Sequence, residues 1–397
     1  MQYTTPNTKI GSIFGTTQAE LETPVHTSDR VILVCVFMLM IFGAIAVYSS
    51  IAYFAQMHGT TAGALVTGHI VKLGIAFIAM LFVSKLNYSV LARFSRMAVV
   101  LSWLLLFAVM IYGDLVFGAR RSLSIAGFSF QPSSFAAIAL ILHVAVLLHE
   151  KQDYIKDFKR AFLPILIWVT ITCFLIALED FSSAALLMGI CIFLMFVGRI
   201  SSMQIFGLIL IGLLGGAALV SSSAERQSRV TQYITQIVDI NSQNLESTHG
   251  YQAQQAHIAV AKGQLFGVGI GKSTQRDFLP APYNDFIFAI IAEEYGLIGS
   301  FAVILIFMVI LYRGIAVIAR QAPDVLGTLM AVGATLMITL YGFVNAAVAT
   351  GLFPVTGLPM PFISYGGTSM LFAGVMVGIL LNISKYNRQI QNRFYNG

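Results

Sequence analysis

Four carboxylates, Asp277, Asp285, Glu293 and Glu294, fall where the second half of the chain turns from polar to apolar. Asp285 follows Pro280-Ala281-Pro282-Tyr283-Asn284, and a long apolar helix is predicted to begin at or just after it. A carboxylate in that place is either a helix cap, which lowers its pKa, or a general base at the mouth of a membrane cavity. At about 100° per residue, Glu293 lies about 80° and Glu294 about 180° around the helix from Asp285, so the three cannot share a face. Carboxylates inside an apolar run either carry function or need a buried cation. Lys72, with His69 one turn away, or an arginine is the expected partner.

Basic residues gather just upstream. Gly263, Gly267, Gly269 and Gly271 are interleaved with Lys262 and Lys272, and Arg276 follows. Glycines let backbone N–H groups approach an anion and lysines add charge, so this is either a pocket for a phosphate-bearing lipid head or a glycine-rich surface loop. The G-x-x-x-x-G-K-[ST] spacing of a nucleotide-binding P-loop is absent. Arg120 and Arg121, ahead of Gln131-Pro132, suit phosphate or lipid head groups. Glu179 and Asp180 occupy a very short turn, either solvated or lining the same mouth. The segment from Gly250 to Ala261 reads as an amphipathic helix at the membrane surface. Pro354 to Ser369 is a polar, glycine-rich approach to the last apolar run; irregular backbone at membrane depth persists only inside protein or along a cavity.

The elements that must position these groups follow from composition. Of 397 residues, 57% are hydrophobic and 10% charged, where soluble proteins carry about 25% charged. Mean hydropathy is +0.83. Soluble, disordered and fibrous classes are excluded, and 10 prolines with unalternating apolar runs argue against an outer-membrane barrel. The expectation is an all-α polytopic membrane protein. Its ten transmembrane helices lie at 31–54, 64–84, 97–113, 132–148, 161–178, 182–198, 202–221, 285–312, 325–349 and 362–383. An extracytoplasmic loop, 222–284, separates helices 7 and 8. The domain is 31–384, between cytoplasmic tails 1–30 and 385–397. The first 28 residues read as disordered, and no cleavable signal peptide is predicted. Fifteen of the 23 Lys and Arg residues fall in segments that are cytoplasmic if the N-terminus is, against Arg120 and Arg121 in the short outer loops. That bias places both termini inside and the large loop outside, away from ATP. Cys35, Cys173 and Cys191 lie in apolar runs with no disulfide or zinc spacing, and no metal ligands are assigned. No internal repeat of the transporter kind is evident.

Several segments resemble the SEDS family, the lipid II-polymerising glycosyltransferases of division (FtsW) and elongation (RodA). They are Gly250-Tyr251-Gln252, Gly267-Val268-Gly269-Ile270-Gly271-Lys272-Ser273, Phe278-Leu279-Pro280, Asp285-Phe286-Ile287-Phe288-Ala289, Glu293-Glu294, Gly296 and Pro361-Phe362-Ile363-Ser364-Tyr365-Gly366-Gly367-Thr368-Ser369. Their order, the span plan and the large outer loop match over nearly the whole chain, and the stretch from Pro282 to Gly296 looks closer to the division branch. The resemblance implies a multi-pass protein of the bacterial inner membrane that extends a lipid-pyrophosphate-linked glycan with lipid II. The acceptor's 4-hydroxyl attacks the donor's anomeric carbon and undecaprenyl pyrophosphate leaves. It places the essential aspartate at Asp285 and the acidic residue eight positions earlier at Asp277. It makes Arg120, Arg121, Lys262, Lys272 and Arg276 candidates for the pyrophosphate, with Ser364, Gly366 and Gly367 in the substrate-binding set. Implied partners are a class B penicillin-binding transpeptidase, other divisome membrane proteins and the lipid bilayer, with no nucleic acid. No cofactor is required by the motifs, and a divalent cation, Mg or Mn, is an option at the pyrophosphate.

The sequence departs from the family pattern in three places. The Glu and Lys usual after Gln-Pro are Ser134 and Ala137, a loss that is cheap because both members of an ion pair go together. The motif after span 5 is here Leu178-Glu179-Asp180-Phe181-Ser182-Ser183, keeping only Asp180. Asn284 replaces the Thr often found before the aspartate. Two other functions stay open: a lipid II flippase, for which Lys72, His69 and Glu293 are the polar residues available, and a non-catalytic divisome scaffold.

Overall fold

A computed structural model describes residues 28–57, 61–116, 119–125, 128–238, 248–279 and 281–395. Most of the first tail and the polar run from Asn241 lie outside the described residues. Apolar runs become helices because only a helix satisfies its own backbone groups in lipid. In order these are α1 (Arg30–Met57), α2 (Ala62–Lys85), α3 (Tyr88–Tyr112), α4 (Pro132–Glu150), α5 (Leu163–Glu179), α6 (Phe181–Val197) and α7 (Ser202–Ser221). They continue with α8 (Ala224–Val238), α9 (Thr248–Gly263), α10 (Ile287–Tyr312), α11 (Val325–Ala349) and α12 (Thr368–Tyr395). Among the described residues nine helices are long and apolar enough to cross a membrane; α6, with 17 residues, is a shorter apolar helix. Helix α3 starts nine residues before the expected span, capped by Asn87, which accepts from the Ser89 amide at 2.9 Å. Helix α12 starts six residues late, leaving 362–367 non-helical.

The all-α expectation needs one correction. Between α3 and α4 lie three antiparallel strands, β1 (Asp114–Val116), β2 (Ala119–Ile125) and β3 (Phe128–Phe130). Leu123 pairs with Phe130 and Ile125 with Phe128. The alternation from Arg121 to Ile125 is the period-2 signal that a loop assignment overlooks.

Helices α4, α11 and α12 form the buried centre, whereas α7 is largely exposed. Polar pins fix the end of the bundle where α1 begins. Asp29 pairs with Arg313, and its amide donates to Ser384 Oγ. The Asn382 side chain accepts from the Tyr88 amide and donates to the Ser84 carbonyl.

Helix α10 breaks at Gly296, where φ is +68° and ψ is −162°. The break frees backbone groups that the glycine-rich loop replaces. Val268 N donates to the Glu293 carbonyl at 2.9 Å, Gly269 N to Glu294 at 3.1 Å, and Leu297 N to Gln264 at 2.9 Å. The approach is so close that a Cβ on Gly263 would overlap the Ala292 carbonyl, and one on Gly267 the Glu294 carbonyl. The Val268 and Gly269 amides are therefore committed to α10. Helix α9 is likewise no lone surface helix: Ala253, Ala256 and Ala259 are buried.

Ser134 and the tip of the loop before α12 border a cavity of about 40 Å³, lined also by Tyr341, Ser364, Ser369 and methionines including Met337 and Met370. Ala137 is buried nearby in α4. A void thus stands beside Ser134, the position where the resemblance leads one to expect an acidic residue.

Two stability predictions follow from this packing. Gly263→Ala should lower stability by about 1–3 kcal/mol through overpacking. Gly207→Ala, with open space above Gly207, should leave it unchanged or slightly raised; thermal unfolding in detergent separates the two. Ser134→Glu alone should lower stability by on the order of 3–5 kcal/mol, by placing an unpaired charge in the protein, and adding Ala137→Lys should recover part of that loss.

Candidate active site

Asp285 does not cap α10. The helix begins at Ile287, and Phe286 at its N-cap makes no side-chain cap bond. The carboxylate instead stands on non-helical backbone held by two other segments. The Asn345 amide donates to the Asp285 carbonyl at 3.0 Å and to Leu358 at 2.8 Å. Ser364 Oγ donates to the Asn284 carbonyl at 2.7 Å and accepts from the Met360 amide at 2.8 Å. Tyr365 N donates to the Tyr283 carbonyl at 2.8 Å. The long loop before α12 and residues 283–285 therefore satisfy each other's backbone groups.

That clasp aims the side chain. Gly357, at φ +72°, lies open to it: a Cβ there would sit 3.7 Å from Asp285 Oδ2 and 3.9 Å from Arg121 Nη1. Oδ1 is buried with no hydrogen-bond partner among the described residues. Burial pushes the Asp285 carboxyl up to about 6; Arg121 and Arg229 pull it down and Asp180 pushes it further up. Of the two sequence readings, cap or general base, the cap with its lowered pKa is set aside, because the helix begins beyond the residue.

Strand β2 supplies Arg121, whose Nε donates to the Glu179 carbonyl at 3.2 Å. Asp180 caps α6, accepting from Ser183 N at 3.1 Å and Ser183 Oγ at 2.7 Å. A cavity of about 730 Å³ opens beside these residues, lined by Arg121, Glu179, Asp180, Arg226, Arg229 and Phe353 among others. Arg226 is engaged at its edge, donating to the Ala177 and Leu178 carbonyls at the end of α5 at 3.0 and 3.2 Å. The mouth's arginines can thus hold an anionic head group, and Arg121 is shared between the cavity wall and the surroundings of the Asp285 carboxylate.

The remaining predicted residues divide. Arg120 lies in β2, paired with Leu115, and its side chain is outside the described residues. Lys262, Arg276 and Asp277 belong to a second cluster around Glu293. Glu293 is fully buried and accepts from Ser273 Oγ at 2.5 Å, Thr274 N and Thr274 Oγ1 at 3.1 Å and Gln275 N at 3.2 Å. Lys262 donates to Thr274 Oγ1 at 2.9 Å. Arg276 donates to the Ser49 and Gly271 carbonyls and pairs with Asp277 at 3.3 Å. Glu294 accepts from Ser49 Oγ. So neither glutamate partners Lys72, which lies 4.3 Å over the Tyr365 ring. Lys272 is exposed. Ser364 belongs to the clasp. A Cβ on Gly366 would overlap Ser369 Oγ, and one on Gly367 would lie 3.2 Å from the Ser129 carbonyl. Arg229 was not assigned from sequence; its signal is a second arginine one turn beyond Arg226, at the start of the outer segment. Among the described residues no group of three or more His, Cys, Asp or Glu side chains is placed to hold a metal ion.

Residues 29–389 match the family model FtsW/RodA/SpoVE, described as cell cycle protein. The chain is 38% identical to stage V sporulation protein E of Bacillus subtilis (strain 168), over 91% of this chain and 98% of that protein. It is 32% identical to a probable peptidoglycan glycosyltransferase FtsW of Geobacter sp. (strain M18), over 90% and 96%. Among solved structures it resembles a chain of a peptidoglycan synthase complex that coordinates polymerization and crosslinking, with TM-score 0.72 and 23% identity over 91% of this chain and 99% of that one. It also resembles the rod shape determining protein RodA of Thermus thermophilus, with TM-score 0.65 and 21% identity over 92% and 99%. The chain belongs to the FtsW/RodA/SpoVE family of cell cycle proteins.

Proposed function

We propose that the chain is a peptidoglycan glycosyltransferase that polymerises lipid II on the outer face of the bacterial inner membrane during cell division. The observation that carries this is the buried Asp285 carboxyl, pushed up to about 6 and facing Arg121, which also lines the cavity of about 730 Å³. The activity is that named for the FtsW relatives. Asp285 takes the proton of the acceptor's 4-hydroxyl as its oxygen bonds to the donor's anomeric carbon. The electron pair of the breaking bond leaves on undecaprenyl pyrophosphate, and Arg121 and Arg229 meet the growing negative charge. Lys262, Arg276 and Asp277 shape the loop around Glu293, and exposed Lys272 remains for head-group contact.

Topology supports the reading. If α6 spans as the tenth helix, at about 1.5 Å per residue roughly 26 Å long, the connections meeting at Asp285 are the third, fifth, seventh and ninth. All then lie on one side, which the charge bias makes the outside, with both termini cytoplasmic. A class B penicillin-binding transpeptidase is the proposed partner. The flippase alternative loses its polar route, because Glu293 is enclosed by residues 273–275 and Lys72 lies on Tyr365.

The purified protein with its transpeptidase should convert labelled lipid II into glycan chains, and Asp285→Asn should lower that rate by about 10²–10⁴-fold. A wild type that makes no chains defeats the polymerase reading; a normal rate for the variant defeats the base assignment alone. The base works deprotonated, so kcat/KM should fall as pH drops through about 6. Arg121→Ala removes a charge that lowers this pKa and should move the fall to higher pH, whereas Asp180→Asn should move it lower. Rate–pH profiles of the three proteins check both signs.

A further inference from the structure

Lys72 is an intramembrane cation with no counter-ion among the described residues. Among the described residues no carboxylate pairs with it: Glu293 is taken by residues 273–275 and Glu294 by Ser49. It lies instead over the Tyr365 ring, Nζ 4.3 Å from the centroid. One turn earlier on α2, the fully buried His69 ring stacks on the same tyrosine, with centroids 5.5 Å apart at 23°. Neither His69 ring nitrogen has a hydrogen-bond partner among the described residues, so the ring contributes contact area alone. Gly68 leaves room: a Cβ there would lie 3.9 Å from the Tyr365 hydroxyl.

Tyr365 is tied to the non-helical segment that carries Asp285. Its amide donates to the Tyr283 carbonyl at 2.8 Å, and its ring meets Tyr283 edge-on at 5.5 Å and 87°. Its neighbour Ser364 holds the Asn284 carbonyl. The contacts run without interruption from α2 through Tyr365 to the two residues before Asp285. A cation over an aromatic face gains strength when desolvated. An unpaired lysine in a membrane is otherwise a burden on folding.

We infer that Lys72, assisted by His69, is a positioning residue for Asp285: through Tyr365 it clamps Tyr283 and Asn284 and so fixes the carboxylate's aim. This rests on the proposed role of Asp285 as base. A lysine with a merely structural place would behave differently, since removing an unpaired intramembrane charge would leave kcat alone and raise stability.

The test uses the full chain with its transpeptidase partner and labelled lipid II, with backbone hydrogen exchange over residues 281–286 as a second readout. Lys72→Met should lower kcat roughly tenfold while KM stays within about twofold, a loss within the range of one cation–ring contact. Exchange over 281–286 should quicken. Lys72→Arg keeps a cation over the ring and should restore both readouts. Tyr365→Phe should resemble wild type and Tyr365→Leu should resemble Lys72→Met; this pair decides the matter if Lys72→Met does not fold. Wild-type kcat and exchange in Lys72→Met overturn the inference, as does a Lys72→Arg protein that folds but is as impaired as Lys72→Met. The exchange readout judges the clamp even if Asp285→Asn polymerises normally, a result that sinks only the base reading.

Discussion

Two stretches of non-helical chain, 281–286 and 354–367, lie against each other at the edge of a helical bundle, and the site depends on that pairing. Irregular backbone that is buried must find its hydrogen-bond partners within the protein. Asn345, Ser364 and the Tyr365 amide provide them for residues 283–285. The helix start is displaced to Ile287 as a result, and Asp285 is left facing Arg121 across Gly357 with one oxygen unbonded. A capping aspartate would be a weaker base, stabilised as the anion by helix amides.

Charge is sorted into two clusters with different work. Around Glu293, Ser273, Thr274 and Gln275 satisfy a buried carboxylate, while Lys262 and Arg276 brace the neighbouring loop. That bracket repairs the break at Gly296 and fixes the glycine-rich loop against α10. Around Asp285 the groups are less completely bonded, and a cavity of about 730 Å³ adjoins them. Satisfied polar groups stiffen a membrane protein, and unsatisfied ones beside open volume are where substrate can be met.

Much of this was legible in the residues. Apolar runs of helix-spanning length gave the helices, and the order of motifs from Gly250 to Ser369 pointed to the family. The position of Asp285 left it as either a cap or a base, and the resemblance chose the base. Its raised pKa was not legible, because the cause is a loop some seventy residues downstream in the chain. The glycines from 263 to 271 suggested an anion cradle, since a glycine needed for close packing on Ala292 and Glu294 looks the same in sequence as one needed for a phosphate. The partner of Lys72 was sought among acids, where sequence arithmetic finds partners, but it is the face of Tyr365. The short strands around Arg121 carried an alternation too brief to outweigh the helical runs on either side.

The central claim is that burial raises the Asp285 carboxyl while its arginines keep it ionisable. Isotope-edited infrared or carbon NMR titration of aspartate-labelled protein, compared with Asp285→Asn, measures this without any turnover. One carboxyl titrating near pH 6, absent from the variant, is the predicted result. An Asp285 signal titrating in the ordinary aspartate range, about 3.9, would contradict it.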